Sequence, residues 1–432
     1  MLSYKILYIE ILIGMRGFYM PILAIKEQEI FDKLDVLTNL CTTGDKEFNK
    51  RKCLTYVDEF EKNISKNLRA VCIVSFTSLK DNYIEYFEIE WLKLRSYYNI
   101  PNGVPIHFTS LRSICNKIDY TDSNGSKKES VGWNHEYVIK KYEYFKDLAE
   151  KGGKKLEDIK DFRKFLEQYS LWKCFSKVDS NGIKSLDFEI LNNFYKELLV
   201  ILSEANIKIL CTTFLYDVNA NHKKRGKSNY KAPYCMAFLD HLNLLCFYLK
   251  HAYMTDYELK SNSLYSKHFT TKLRCDADDG YSNRNDYRLS FNEAMTSGTR
   301  QFSGDAIRDT IDEIRFINKK EIGYQSDNKD MKQNIISHVG CDIIDFIAYY
   351  VGMYSIKGHL VDSYINEFLK DGAVDKKEAS GLAEKKFLQS VTLNLNNNEY
   401  DIYNNVLKNK IIHMNNYKTV QIISDCNFLY WE

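Results

Sequence analysis

Two adjacent carboxylates, Asp58 and Glu59, interrupt the run CLTYVDEFEK (residues 53–62). The run begins as a buried strand, with Cys53, Leu54, Tyr56 and Val57 apolar, and acids at the tip of such a strand call for a reason. Further acids stand at the ends of apolar elements or inside them: Asp217 after 207–216, Asp276 after 268–276, and Asp345 within 340–354. Asp342 and Asp345 are three apart and so share a helix face. Ionised carboxylates gathered in one place repel, by about 4 kcal/mol for a pair ~4 Å apart at an effective dielectric of 20. Divalent cations, a paired Arg or Lys, or a raised pKa offset that repulsion. Mg²⁺ or Mn²⁺ held by carboxylates from several elements suits phosphodiester hydrolysis, because the ions activate water and stabilise the leaving oxygen. On this reading Asp58, Asp276 and Asp345 are ligands, Asp217 is a further ligand, and Glu59 binds metal or orients water.

Each acid also has a plainer reading. Asp217 starts DVNANHKKRGK and suits a turn; DADDG (276–280) suits a solvated loop; Asp342 suits a helix start, where the dipole favours an acid. The chemistry depends on joint placement, so the elements that place these residues matter. Strand-like segments rich in β-branched and aromatic residues fall at 52–58, 69–76, 207–216 and 268–276. Helical spacing runs through 81–98 (Ile84, Phe87, Trp91, Leu94, Tyr98) and 188–205 (Leu191, Phe194, Leu198, Ile201, Leu202). The stretch 233–254, opened by Pro233, is apolar on nearly all faces and predicts a buried helix. A last core helix is expected over 340–354. Strands alternating with long helices indicate an α/β layered domain. Residues 119–180 read as a helical insertion behind a disordered loop, and 356–432 as a charged helical tail.

Composition narrows the classes. The chain has 432 residues, 44% hydrophobic and 27% charged, which is ordinary for a globular protein. A net charge of +2 gives no global basic field, so nucleic-acid binding would have to come from local patches. One such patch is NHKKRGKSNYK (221–231), whose Lys223, Lys224 and Arg225 would contact phosphates beside a catalytic face; a solvated turn is the alternative. The 11 cysteines include no C-x-x-C pair, which argues against a structural zinc site and for reduced, buried thiols in a cytoplasmic protein. The nine histidines form no His-Glu-x-x-His pattern. The N-terminal stretch MLSYKILYIEILIGMRGFYM is interrupted by Glu10 and fits neither a signal peptide nor a membrane span.

The order of segments resembles the domain of unknown function 3800 family. YVDEFE stands where that family has a strand ending Asp-Glu-Ser-Gly, and VPIHFTSL, with His107, stands at its Ile-His motif. FYKELLVILSEANIKILCTTFLYD matches its next helix and strand, KLRCDADDG a strand with an acidic end, and IRFINK an Ile-x-Phe-x-x-Lys stretch. GCDIIDFIAY matches its closing Gly-Leu-Gln-Leu-Ala-Asp-Leu-Ile-Ala-Tyr. Phe60-Glu61 replaces Ser-Gly, and Asp342 and Ile344 replace Gln and Ala. The resemblance covers about residues 50–355 and implies a ribonuclease H-like mixed sheet with flanking helices. It also implies a nuclease role for Asp58, Glu59, Asp276 and Asp345, with His107 as a general acid or base or as a partner for an active-site carboxylate. The expected organisation is an N-terminal extension (1–50), a ribonuclease H-like domain (51–355) and the tail. The expected function is a Mg²⁺- or Mn²⁺-dependent phosphodiesterase acting on DNA or RNA. The competing expectation is a non-catalytic binding or scaffold protein, since fold does not dictate function.

Overall fold

The computed structural model describes residues 51–121, 125–159, 161–180, 182–218, 233–252, 269–276, 281–317, 338–370, 375–395, 398–411 and 420–423. The N-terminal extension and the basic stretch with Lys223, Lys224 and Arg225 lie outside these residues.

A six-stranded mixed sheet organises the chain. Its strands are β1 (Arg51–Asn63), β2 (Leu68–Leu79), β3 (Lys208–Asp217), β4 (Phe269–Asp276), β5 (Ile311–Ile317) and β6 (Val420–Ile423). Their spatial order is β6-β3-β2-β1-β4-β5. β1, β2 and β3 are antiparallel neighbours, whereas β4 runs parallel to β1, β5 parallel to β4, and β6 parallel to β3. The main helices are α1 (Glu88–Tyr97), α2 (Phe108–Cys115), α3 (His135–Gly152), α4 (Phe162–Cys174), α5 (Phe188–Glu204), α6 (Pro233–Phe247), α7 (Tyr281–Ser297), α8 (Val339–Ser355), α9 (Lys357–Lys370) and α10 (Lys376–Val391).

The period-2 pleat of β1 divides two cores. Leu54, Tyr56 and Phe60 face a large core shared with α1, α2, α5 and α8, while Cys53 and Val57 face a smaller one shared with α6 and Tyr287 of α7. With both faces covered, the central strands are apolar almost throughout, and the buried Thr55 hydroxyl is satisfied by Thr77 (2.8 Å) and Thr271 (2.7 Å) across the neighbouring strands. The nine described cysteines are all free thiols, and all but Cys174 are buried. Among the described residues no single helix is long and apolar enough to cross a membrane.

The four strands and four helices expected from the sequence all occur, with differences that have physical causes. β1 does not end at Asp58 but continues five residues to Asn63, because β2 still pairs with it there. A π-helical turn, Tyr83–Phe87, leads into α1. β5 overlaps IRFINK but was hidden, because charges at Asp312, Glu313 and Arg315 break the apolar alternation. The 119–180 region is not simply helical: Lys117–Thr121 pairs with Lys127–Val131, and Ser176–Val178 pairs with Lys184–Leu186, around α3 and α4. These hairpin strands are short, polar and largely exposed, so they carry little hydrophobic signal. The C-terminal tail supplies β6 to the sheet, and its Phe387, Val391, Leu393, Ile402 and Leu407 pack into the large core, so it is not a separate helical appendage.

α8 matters most for the site. It lies flush on β1 because two of its residues have no side chain at the contact. A Cβ at Gly340 would overlap the ring of Tyr56, and one at Gly352 would overlap the ring of Phe60. Between those two notches lies Asp345 on the helix, and between the two rings lies Asp58 on the strand. Gly352→Ala should therefore cost roughly 1–3 kcal/mol, as overpacking of a dense core does. Urea titration checks this, and an unchanged midpoint would show that the helix is not held this close.

Candidate active site

Asp58 sits where the sheet opens. The last β1–β4 pair is Val57 with Cys275, so from Asp58 onward β1 keeps β2 on one side and is released by β4 on the other. Its place in the pleat, between Tyr56 and Phe60, turns it toward α8. Asp58, Asp345 and His107 line one open cleft of about 100 Å³, together with Glu59, Phe60, Phe108, Thr109, Ala348 and Tyr349. That space suits an ion or a phosphate group rather than an enclosed nucleotide. Asp58 Oδ1 accepts a hydrogen bond from the Glu59 backbone N–H at 2.9 Å.

His107 is the N-cap residue of α2, and its Nδ1 lies 2.5 Å from Asp345 Oδ2. Both side chains are mostly but not wholly buried, at 18% and 13% exposure, which leaves them reachable from the cleft. The contact sets the imidazole edge against the carboxylate, with Nε2 as the other ring nitrogen.

The segment that carries His107 is held from behind by Asp342. This residue is fully buried and is the hub of a network: its Oδ2 accepts from Trp91 Nε1 (2.7 Å) and Arg95 Nη1 (2.7 Å), and its Oδ1 from the Ile106 N–H (2.5 Å). Arg95 Nη2 in turn donates to the carbonyls of Pro101 (2.7 Å) and Val104 (2.9 Å). The ion pair is 3% and 0% exposed, so each charge depends on the other. Asp342 is thus a buried anchor rather than an acid favoured only by the helix dipole. Three residues on, the same helix presents Asp345 to the imidazole that the anchor positions.

The other predicted site residues are placed differently. Glu59 borders the cleft, but the pleat turns its carboxylate to the opposite face, where Oε2 accepts from Tyr287 Oη at 2.8 Å. Burial and then the Glu59 charge push the Tyr287 phenol well above its ordinary pKa, so it stays a donor. Asp217 is not brought to the cleft. Asp58 pairs with Val74 and Val74 with Cys211, and Asp217 lies six residues beyond Cys211, roughly 20 Å along the strand at ~3.3 Å per residue. Asp276 ends β4 immediately after Cys275, the partner of Val57; its side chain, and residues 277–280, lie outside what is described. Among the described residues no group of three or more His, Cys, Asp or Glu side chains is gathered closely enough to cage a metal ion.

The two departures from the family motifs have structural partners. Phe60 fits against Gly352, and Glu61 pairs with Arg69 Nη1 at 2.7 Å while accepting from Tyr216 Oη at 3.2 Å. Asp342 is matched by Arg95. What sequence reading missed was this anchor. Arg95 sits 247 residues before Asp342, and its signal was only a cation within an apolar helical stretch.

Compared with known proteins, no family model matches the chain, no curated protein matches it, and no solved structure matches it.

Removing one member of the anchor leaves a buried charge unpaired. Arg95→Leu should destabilise the fold by roughly 3–5 kcal/mol. The double variant Arg95→Leu/Asp342→Leu should recover part of that loss, because no lone charge remains. Chemical denaturation of the parent, Arg95→Leu, Asp342→Leu and the double variant checks this; a double variant destabilised by the sum of the two singles or more would contradict a coupled pair.

Proposed function

We propose that the chain is a divalent-metal-dependent phosphodiesterase acting on nucleic acid, on a ribonuclease H-like sheet. Three antiparallel strands beside two parallel ones, with the acid of the central strand facing a helix-borne acid, agree with that fold. The resemblance to the domain of unknown function 3800 family agrees with it as well. The observation that carries the reading is one cleft lined by Asp58 from β1, Asp345 from α8 and His107 from the segment between α1 and α2.

The donor chemistry fits Mg²⁺ or Mn²⁺. Such ions keep several waters and take one or two carboxylates together with substrate phosphate oxygens, so two acids at an open cleft suffice where a three-residue cage is absent. When bound, the ion would polarise the phosphoryl group and lower the pKa of an attacking water. Asp58 and Asp345 would hold it. His107, fixed through Nδ1, keeps Asp345 oriented and has Nε2 to take a proton from water or give one to the leaving oxygen. Glu59, held by Tyr287, adds negative potential without binding the ion. Lys223, Lys224 and Arg225, outside the described residues, would add phosphate contacts if their stretch reaches the substrate.

A second reading is a ribonuclease H-like binding or scaffold protein without catalysis. It is favoured by the imidazole already engaging Asp345 Oδ2 and by the lack of a three-donor group among the described residues.

Cleavage of mixed single- and double-stranded DNA and RNA with Mg²⁺ or Mn²⁺ separates the two. The phosphodiesterase reading expects metal-dependent cleavage that Asp58→Asn and Asp345→Asn each reduce by at least a hundredfold. It also expects the metal to raise Tm in the parent and not in Asp58→Asn, since a ligand bound only by the folded state stabilises it. No cleavage by the parent, with identical metal responses in parent and variants, would establish the scaffold reading.

A further inference from the structure

Two cations, Lys62 and Arg112, lie outside the cleft and next to residues of its wall in chain position or hydrogen bonding. Lys62 lies on β1 four residues beyond Asp58, on the same face by the pleat, which puts it roughly 13 Å away at ~3.3 Å per residue. Arg112 lies on α2, five residues after His107. Both are half-buried. Arg112 Nη1 donates to the Ser390 carbonyl at 3.1 Å, and Tyr349 Oη donates to the same carbonyl at 2.9 Å. Tyr349 also lines the cleft, so the guanidinium is held against its wall.

Lys62 follows Phe60 by two residues on one strand face, Phe60 packs on Tyr349, and Tyr349 shares its carbonyl partner with Arg112. Burial, and then the Arg112 charge, push the Lys62 ammonium below its ordinary pKa. Burial pushes the Tyr349 phenol up while neighbouring Arg112 pulls it down. Among the described residues no carboxylate pairs with either cation, although Glu61 beside Lys62 in sequence pairs with Arg69. Two like charges kept close and partly out of water are unfavourable unless an anion joins them. Between this pair and the acids lies an aromatic wall. Tyr349 packs edge-on against Phe60 (5.7 Å between ring centroids) and tilted against Phe108 (4.9 Å). Asp58, Asp345 and His107 line the cleft, Phe60, Phe108 and Tyr349 wall it, and Arg112 shares the Ser390 carbonyl with that wall.

We propose that Lys62 and Arg112 form a phosphate subsite that holds a backbone phosphate of the nucleic-acid strand beyond the one at the carboxylates. This rests on the phosphodiesterase reading and deepens it. The acids repel a bare phosphate and accept one only with a cation between, whereas Lys62 and Arg112 take one directly. The spacing of the cations from the acids therefore sets where the strand is gripped and where it is cut. A strand laid this way follows the two cations and passes aromatic side chains, as single-stranded nucleic acid does in other grooves.

The test is equilibrium binding of a fluorescein-labelled, mixed-sequence single-stranded oligonucleotide to the full chain, with Ca²⁺ in place of Mg²⁺, across a salt series. Lys62→Gln and Arg112→Gln should each weaken binding about three- to tenfold and lower the salt slope by about 0.7 for the lost phosphate contact. Lys62→Arg should restore affinity, and Lys62→Gln, having no hydrogen bond to lose, should melt as the parent does. Inorganic phosphate should compete only weakly, because it engages these two cations alone. Parent-like affinity and salt slope in Lys62→Gln would overturn the subsite even if the parent cleaves nucleic acid. A parent that fails to bind the oligonucleotide at low salt overturns it too. A parent that binds through Lys62 and Arg112 but cleaves nothing supports the subsite and refutes the catalytic reading.

Discussion

The buried pair Arg95–Asp342 is the constraint on which the site depends. Two charges almost wholly removed from water are tolerated because each meets the other and further partners: Trp91 and Ile106 donate to the carboxylate, and the carbonyls of Pro101 and Val104 accept from Arg95 Nη2, while the buried Nε has no partner among the described residues. The chain between α1 and α2 has no regular secondary structure of its own, yet it is tied at three backbone positions. One residue after the last tie comes His107. A flexible connection is thereby converted into a fixed support for an imidazole, and the anchor and the acid it serves sit on one helix, three residues apart.

The second constraint is steric. α8 is apolar on nearly every side and would be stable at many depths against the sheet. The glycines at 340 and 352 let it sink onto Tyr56 and Phe60, and the Gly340 N–H is met by Tyr83 Oη at 2.8 Å, which satisfies one of the helix's open N-terminal donors. Asp58 and Asp345 face one cleft because the strand and the helix are brought together at both ends of the contact. Burial at the N-terminal end is deep enough to push His338, the N-cap residue, down to a pKa of about 4, with Arg315 and Arg274 adding to the effect.

Much of this was legible in the sequence where patterning is strong. The β-branched runs at 69–76 and 207–216 and the apolar helix around Asp345 read directly, because burial on one or both faces leaves a periodic imprint. Asp58 stood out as an acid in an apolar strand, and His107 stood out through a short motif. The side to which each acid points was harder. Asp58 and Glu59 are neighbours in sequence and lie on opposite faces of the sheet, a consequence of the pleat that matters only once both faces are known to be covered. Asp217 looked equivalent to Asp276, since both follow apolar strands; only the antiparallel register shows that its strand end lies far from the level at which β4 stops. The Arg95–Asp342 pair was not legible, because it joins residues far apart in sequence whose types are ordinary singly.

The account stands or falls on whether Asp58 and Asp345 act as one ion site. Anomalous diffraction from crystals soaked in Mn²⁺ measures that directly. The expected result is a manganese peak about 2.0–2.2 Å from a carboxylate oxygen of each residue, with the remaining positions filled by water. A map without a peak between them, at manganese concentrations that saturate any thermal stabilisation, would contradict it.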